Sequence, residues 1–428
     1  MLSTEYSKEI EESVWNFLLD NNRVETASKL IEESEFFSGQ LPQRSNERLL
    51  ERKWFTIIKL QSKIVELERK LNYFEEQLSK GIRKVQADKD TKEKIIRPTL
   101  KLAYVHKGSK DTITSVSIHK SESVFASGCI DGSARIFDYE MNEHLCLLRS
   151  HTHSINCIKW REDELFTGSS DMTIKLWKSS KSNQSNSFSD FVCFKTFVGH
   201  DHSISDLCDI VNSELLVSVS RDRCIKIWNV NSGFCQKSIN NSHEDWIRCC
   251  DANQSHFATS GNDRTVKILD IESQIKKGEG SVNGEQIKWI NSFIAHENSI
   301  DVIKMFSLET DKNNTRLLTG SRDKNIGLWN YSSGTIIFKF TGHENWVKGL
   351  SIFGQSNFFL SVGEDKTIRV WDIDRRKVVH IEKSAHDHFV SCIDIHSEYQ
   401  IAVTGSVDKN VKIWKIFNAE IKEGFQYE

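Results

Sequence analysis

Seven times between Asp131 and Trp414 the chain repeats one phrase: an aspartate, a short stretch of alternating apolar residues, and a bulky residue that closes it. The copies run Asp131 to Phe137, Asp171 to Trp177, Asp222 to Trp228, Asp263 to Leu269, Asp323 to Trp329, Asp365 to Trp371 and Asp408 to Trp414. Successive aspartates are 40, 51, 41, 60, 42 and 43 residues apart. A period near 40 residues means an array of units, none of which buries its apolar face without a neighbour. Arrays of this kind usually serve as binding surfaces.

Within each phrase the apolar residues alternate, as in Ile174/Leu176 and Ile368/Val370, which is the period of a strand. Each unit carries four such runs: after a histidine, before the aspartate, through the phrase, and before the next histidine. In the sixth unit they are 347–352, 358–362, 367–371 and 378–381. Four short strands per repeat with Gly-His and Trp-Asp punctuation mark a WD40 blade, so the expected fold is a seven-bladed β-propeller. Gly199-His200 and Gly342-His343 keep the full Gly-His form, whereas His151, His243, His296 and His386 keep only the histidine. The stretch 101–105 is expected to supply the outer strand of the last blade, which closes the ring and leaves no open edge. The first repeat is weak: no Gly-His precedes it, and Phe137 replaces the closing tryptophan. The long intervals hold polar inserts at 179–190 and 274–286 with loop composition.

Composition limits the function. A net charge of −3 gives no global basic field for nucleic acid or a membrane surface. No apolar run is long enough to span a bilayer, and the polar start 1–8 suggests neither a signal peptide nor an anchor. The ten cysteines form no Cys-x-x-Cys pair and read as small buried hydrophobes in a reducing compartment, so the cytosol is the expected location. No nucleophile elbow, phosphate-cradling glycine loop or His-Glu-x-x-His is present, so neither an enzyme nor a cofactor is expected. His151/His153, His200/His202 and His386/His388 have spacing that could hold a metal. Each pair begins at the repeat's histidine, however, where pairing with the blade's aspartate and a Ser/Thr is the expected role.

The chain ahead of the array is helical in pattern. Ile10, Val14, Phe17 and Leu18, a polar break at 20–22, then Ala27, Leu30 and Ile31 give a helical hairpin over 5–37. Over 47–82, Leu50, Ile57, Ile64, Leu71 and Leu78 recur every seven residues, with Leu60, Leu67 and Phe74 three after. Ile57/Leu60 and Ile64/Leu67 form the isoleucine-at-a, leucine-at-d pattern of a parallel two-stranded coiled coil. Hairpin and coil together imply a homodimer. A charge-rich linker at 83–100 follows, then the propeller at 101–417 and a tail at 418–428.

On the propeller, the loops carrying each histidine and each aspartate are expected on one face. Before the aspartates stand Ile130, Ser170, Arg221, Asn262, Arg322, Glu364 and Val407. After the histidines come Trp246-Ile-Arg248 and Trp346-Val-Lys348. The repeat gives these arginines no duty, and tryptophan beside arginine is the composition of an interface hot spot, here suited to an acidic partner.

The order of parts resembles the lissencephaly-1 family over nearly the whole chain. Specific stretches carry the likeness: Glu51-Arg-Lys-Trp54, Ser170-Asp-Met-Thr-Ile-Lys-Leu-Trp177, Gly199-His-Asp-His202, Gly320-Ser-Arg-Asp-Lys324, His343-Glu-Asn-Trp-Val347 and Val403-Thr-Gly-Ser-Val-Asp408. The hairpin departs from the family pattern, with Asn22-Arg23-Val24 where a Gly-Tyr turn is usual. The resemblance implies a LisH-type hairpin at 5–37 and a non-enzymatic dimeric regulator of cytoplasmic dynein, gripping the heavy-chain motor domain. It further implies NudE-type coiled-coil partners, indirect contact with microtubules, and roles in nuclear positioning at the cytoskeleton, centrosome and spindle. Residues matching its motor-contacting positions are Arg149, Arg221, Arg248, Arg322 and Trp346, with Trp246 in the same setting. Lys348 fills a place where arginine is familiar, keeping the charge without the bidentate fork. The competing class is a WD40 scaffold, such as a ubiquitin-ligase substrate receptor or a corepressor.

Overall fold

The computed structural model describes residues 96–420 except 108, 181–187, 211–212, 254, 272–288, 308–314, 354–356 and 397. The hairpin expected over 5–37 and the coiled coil over 47–82 lie outside the described residues.

The repeats fold into seven four-stranded antiparallel sheets. Numbered along the chain, blades 1 to 6 occupy 113–149, 155–198, 204–239, 247–294, 300–340 and 347–382. In blade 6 the strands are Val347–Ile352, Phe358–Gly363, Ile368–Asp372 and Lys377–Glu382, the four runs read from the sequence. Blade 7 joins three strands from 390–420 to an outer strand, Ile96–His106, from the start of the array. That strand pairs with Val411–Glu420 from Ile96↔Glu420 to His106↔Val411. It therefore begins five residues ahead of the expected boundary, inside the stretch read as linker, and its partner runs three residues past 417. Each added residue finds a backbone partner on the other strand. Pro98, lacking an N–H, is tolerated because this strand is the outer edge of its sheet.

The core is distributed over the boundaries between blades. Phe166 and Phe197 of blade 2 pack with Leu216 and Trp228 of blade 3. Ile113 and Phe125 of blade 1 pack with Val403 and Val411 of blade 7, so the closing boundary resembles the others. The 179–190 insert is not polar throughout: Phe188 is buried, stacked on Phe191 and set edge-on against Trp160.

One hydrogen-bond relay recurs from blade to blade. Trp177, Trp228, Trp329, Trp371 and Trp414 donate Nε1–H to the hydroxyls of Thr167, Ser218, Thr319, Ser361 and Thr404 at 2.7–2.9 Å. Each hydroxyl in turn donates to Nε2 of His151, His200, His296, His343 or His386 at 2.6–2.8 Å. Nδ1–H of each histidine then meets the carboxylate of Asp171, Asp222, Asp323, Asp365 or Asp408 at 2.6–2.9 Å. A single tautomer satisfies the whole chain of donors, because the hydroxyl proton is left free to serve Nε2. Blade 4 has Thr259, His243 and Asp263 but closes with Leu269, so its relay stops at the hydroxyl. The histidine loop is thereby pinned to the aspartate turn, and the two lie on one face as expected.

Burial pushes these carboxyls up, but the histidine partner and backbone N–H donors outweigh it. Asp222, Asp323 and Asp408 are held at about 2, and Asp263 and Asp365 are lower still. The residue after each aspartate is left-handed, with φ of 64–72° at Met172, Arg223, Arg264, Lys324, Lys366 and Lys409 and 78° at Gly132.

Blade 1 has no relay. In blades 2 to 7 the histidine stands four residues before the first strand, a place held here by Ser109. With Phe137 in place of tryptophan, the buried Ser127 hydroxyl finds no partner among the described residues. Two outcomes follow for stability. Thr404→Ala strips partners from Trp414 and His386 and is expected to cost about 1–3 kcal/mol, whereas Ser127→Ala is expected to be neutral or stabilising; urea unfolding of both variants decides. Between pH ~3.9, where an unfolded aspartate titrates, and the folded value near 2, the unfolded state binds more protons. Relay stabilisation is thus intact above that window and is lost as the pH falls through it. Urea midpoints from pH 6 to 3 should drop, and Asp408→Asn should flatten part of the drop while lowering stability at pH 6.

Candidate protein-binding surface

Each blade's innermost strand opens with a buried aliphatic residue: Ile113, Ile155, Ile204, Ile247, Ile300, Val347 or Val390. Directly after it the register with the second strand slips by one residue in all seven blades. The residues so displaced are Thr114, Asn156, Ser205, Arg248, Asp301, Lys348 and Ser391. All seven line a central cavity of about 330 Å³. A one-residue bulge re-aims the side chain it carries, and here it builds a ring at the channel mouth.

Around part of that ring the displaced side chains tie blades together. Thr114 donates to the Ile155 carbonyl, Asn156 to that of Ile204, and Ser391 to that of Ile113. In blades 4 to 6 the ring instead carries charge: Arg248, Asp301 and Lys348. The Asp301 carboxylate lies 3.2 Å from Arg248 Nη1, 3.1 Å from Arg322 Nε and 2.9 Å from Lys348 Nζ, with its side chain only 4% exposed. Burial pushes Asp301 up, but Lys348, Arg248 and Arg322 outweigh it and hold it below the usual carboxylate range. Arg248 also donates Nε–H to Asn262.

Two arginine–tryptophan stacks extend this cluster across blade boundaries. The Arg221 guanidinium of blade 3 sits 4.9 Å from the Trp246 ring before blade 4. That of Arg322 in blade 5 sits 4.3 Å from the Trp346 ring before blade 6. Such contacts contribute about 0.5–1 kcal/mol at exposed sites and more when a partner removes water. Trp246 is 39% exposed and Trp346 half-buried. Neither ring has withdrawn between blades.

Arg221, Trp246, Arg248, Arg322, Trp346 and Lys348 thus form one continuous, net positive patch. Arg149 does not join them. It is exposed at the end of blade 1's outermost strand, opposite Ser133, and is absent from the channel lining. The expectation that the arginines carry no structural duty is also corrected, since Arg248 and Arg322 neutralise a buried carboxylate. Asp301 escaped sequence reading because the repeat phrase does not mark it. Aligning the residue after the first strand's aliphatic would have found it, a lone acid between Arg248 and Lys348 of the adjoining repeats.

Below the mouth, the acids of the channel have structural work. Asp206 accepts the Cys250 N–H, Asp251 that of Met305 and Asp394 that of Ile118, each in the next blade, so they satisfy donors along an innermost sheet edge. In the His-x-His pairs the first histidine belongs to the relay. His202 lies beside Trp246, and His388 beside Phe389.

Comparison with known proteins agrees with this architecture. The family described as "WD domain, G-beta repeat" matches residues 191–229, 233–270, 287–330, 334–372 and 377–415. Residues 89–163 are similar to the anaphase-promoting complex subunit 4 WD40 domain. The match at 191–229 begins with blade 2's outer strand and continues through three strands of blade 3, the one-strand offset that closes the ring. The chain is 30% identical over 420 residues to nuclear distribution protein nudF of Aspergillus niger, covering 92% of this chain and 89% of that protein. It is 30% identical to nuclear distribution protein PAC1-1 of Uncinocarpus reesii, with 92% and 89% covered. With nuclear distribution protein PAC1 of Arthroderma otae it shares 28% identity, with 92% and 88% covered. The chain belongs to the nuclear distribution protein family, PAC1 and nudF, to which the lissencephaly-1 resemblance pointed.

Proposed function

We propose that this chain is a non-enzymatic, homodimeric regulator of cytoplasmic dynein acting in nuclear distribution. It binds an acidic surface of the heavy-chain motor domain through the face that carries the aspartate turns. The observation that supports this reading is the patch itself: two arginine–tryptophan stacks flanking a three-cation cluster, in a chain whose relatives are named for nuclear distribution. Aromatic and arginine anchors over a net positive base suit a partner rich in carboxylates, steer its approach, and lose strength as salt rises. The hairpin at 5–37 and coil at 47–82 dimerise the chain, NudE-type proteins are further partners, and contact with microtubules is indirect. The protein works in the cytoplasm at the cytoskeleton, including centrosome and spindle. Arg149, set apart from the patch, contacts the motor at its margin.

Binding of the full chain to a purified dynein motor domain tests this. Wild type should bind more weakly as salt rises. Arg221→Glu, at a residue with no ion pair among those described, should weaken binding by at least about thirtyfold, roughly 2 kcal/mol. Absence of wild-type binding at low salt would favour the scaffold class instead. Sedimentation should give twice the 49.4 kDa chain mass; a monomer at micromolar concentration would remove the dimer from the proposal.

A further inference from the structure

Asp301 poses a problem that the proposed partner sharpens. A surface that binds carboxylates gains nothing in simple electrostatics from a carboxylate of its own, yet this one lies at the centre of the patch. It is also the only acid on the bulge ring, whose other members are neutral or basic. A neutral residue at this place is compatible with the fold, because blade 2 carries Asn156 there and blades 3 and 7 carry Ser205 and Ser391. Structural need alone does not account for the charge.

We infer that Asp301 is the positioning residue of the binding surface: it fixes Arg248, Arg322 and Lys348 in one array so that their remaining donors face the partner. This rests on the reading of the patch as an interface for an acidic protein surface. The geometry supports it in three ways. Asp301 engages cations from three consecutive blades at 2.9–3.2 Å, so one carboxylate sets their mutual spacing. It meets Arg322 through Nε, the inner nitrogen of the guanidinium, and Arg248 through Nη1 alone. The two terminal nitrogens of Arg322 are thereby left to an incoming carboxylate as a fork, and Arg248, whose Nε is given to Asn262, keeps one terminal nitrogen for a single further bond. The Arg322 plane held this way is also the one that stacks on Trp346 at 4.3 Å, so Asp301 orients the stack as well. Long cationic side chains lose rotamer freedom when a partner orders them, and a buried anion that has already ordered them removes that cost from binding.

The consequence runs against net charge. Asp301→Asn makes the surface more positive, so an electrostatic account without positioning expects tighter binding to an acidic motor surface. Positioning expects binding weakened by at least about tenfold at physiological salt. The same variant placed in an Arg248→Ala/Arg322→Ala background should add little further loss, because the groups it positions are gone. Asp301→Glu, which keeps the charge with one more methylene, should recover most of the affinity. The experiment is binding of full-length wild type, these variants and the combined variant to a purified dynein motor domain, with thermal unfolding recorded in parallel. Wild type that fails to bind would defeat the proposed function itself. Wild type that binds while Asp301→Asn binds equally or more tightly would overturn the inference and leave the interface standing. A loss that is additive with the arginine changes, or that tracks a fall in melting temperature unrelieved by Asp301→Glu, would also overturn it by making Asp301 merely structural.

Discussion

The hydrogen bond from a loop histidine to a turn aspartate is the interaction on which this molecule's candidate binding face depends. It joins the connection entering a blade to the turn between that blade's second and third strands. Both arginine–tryptophan stacks hang from those two loops: Arg221 and Arg322 precede the aspartates, and Trp246 and Trp346 follow the histidines by three residues. Tryptophan and hydroxyl anchor the pair to the blade's interior, so the loops inherit the rigidity of the sheet. A surface built on pinned loops presents its anchors with little entropy left to lose on binding.

The second organising device is the bulge at the head of every innermost strand. One displaced residue per blade makes a ring whose members are equivalent by geometry and free to differ in chemistry. Around blades 7, 1 and 2 that freedom is used for ties to the next blade's backbone. Across blades 4 to 6 it is used for ion pairs, which join blades just as directly while leaving donors over. A buried carboxylate with three cationic partners is expensive to desolvate and gains little in stability over an apolar replacement. Its presence is better accounted for by the arrangement it imposes.

Much of the propeller is legible in the amino-acid order because its period is long and its punctuation chemical. Aspartate, closing tryptophan and histidine are the relay's own members, so the phrase that reveals the repeat is also the interaction that holds it. Arg221, Trp246, Arg248, Arg322, Trp346 and Lys348 are legible because they occupy places the repeat leaves free. Register is what the order of residues conceals. The bulge that turns Asp301 inward and the outer strand that reaches back to Ile96 both depend on which backbone pairs with which. Arg149 shows the converse: only the family resemblance singled it out, and its place at the end of an outermost strand keeps it apart from the other arginines.

The most direct test is hydrogen–deuterium exchange of the full chain with and without a dynein motor domain. Protection is expected at 221–223, 244–248, 299–302, 322–324 and 344–348, the loops and strand starts that hold the two stacks and the Asp301 cluster. Protection confined to the opposite ends of the blades, at the turns 139–142, 231–234, 332–334 and 373–376, would contradict the assignment of the binding face.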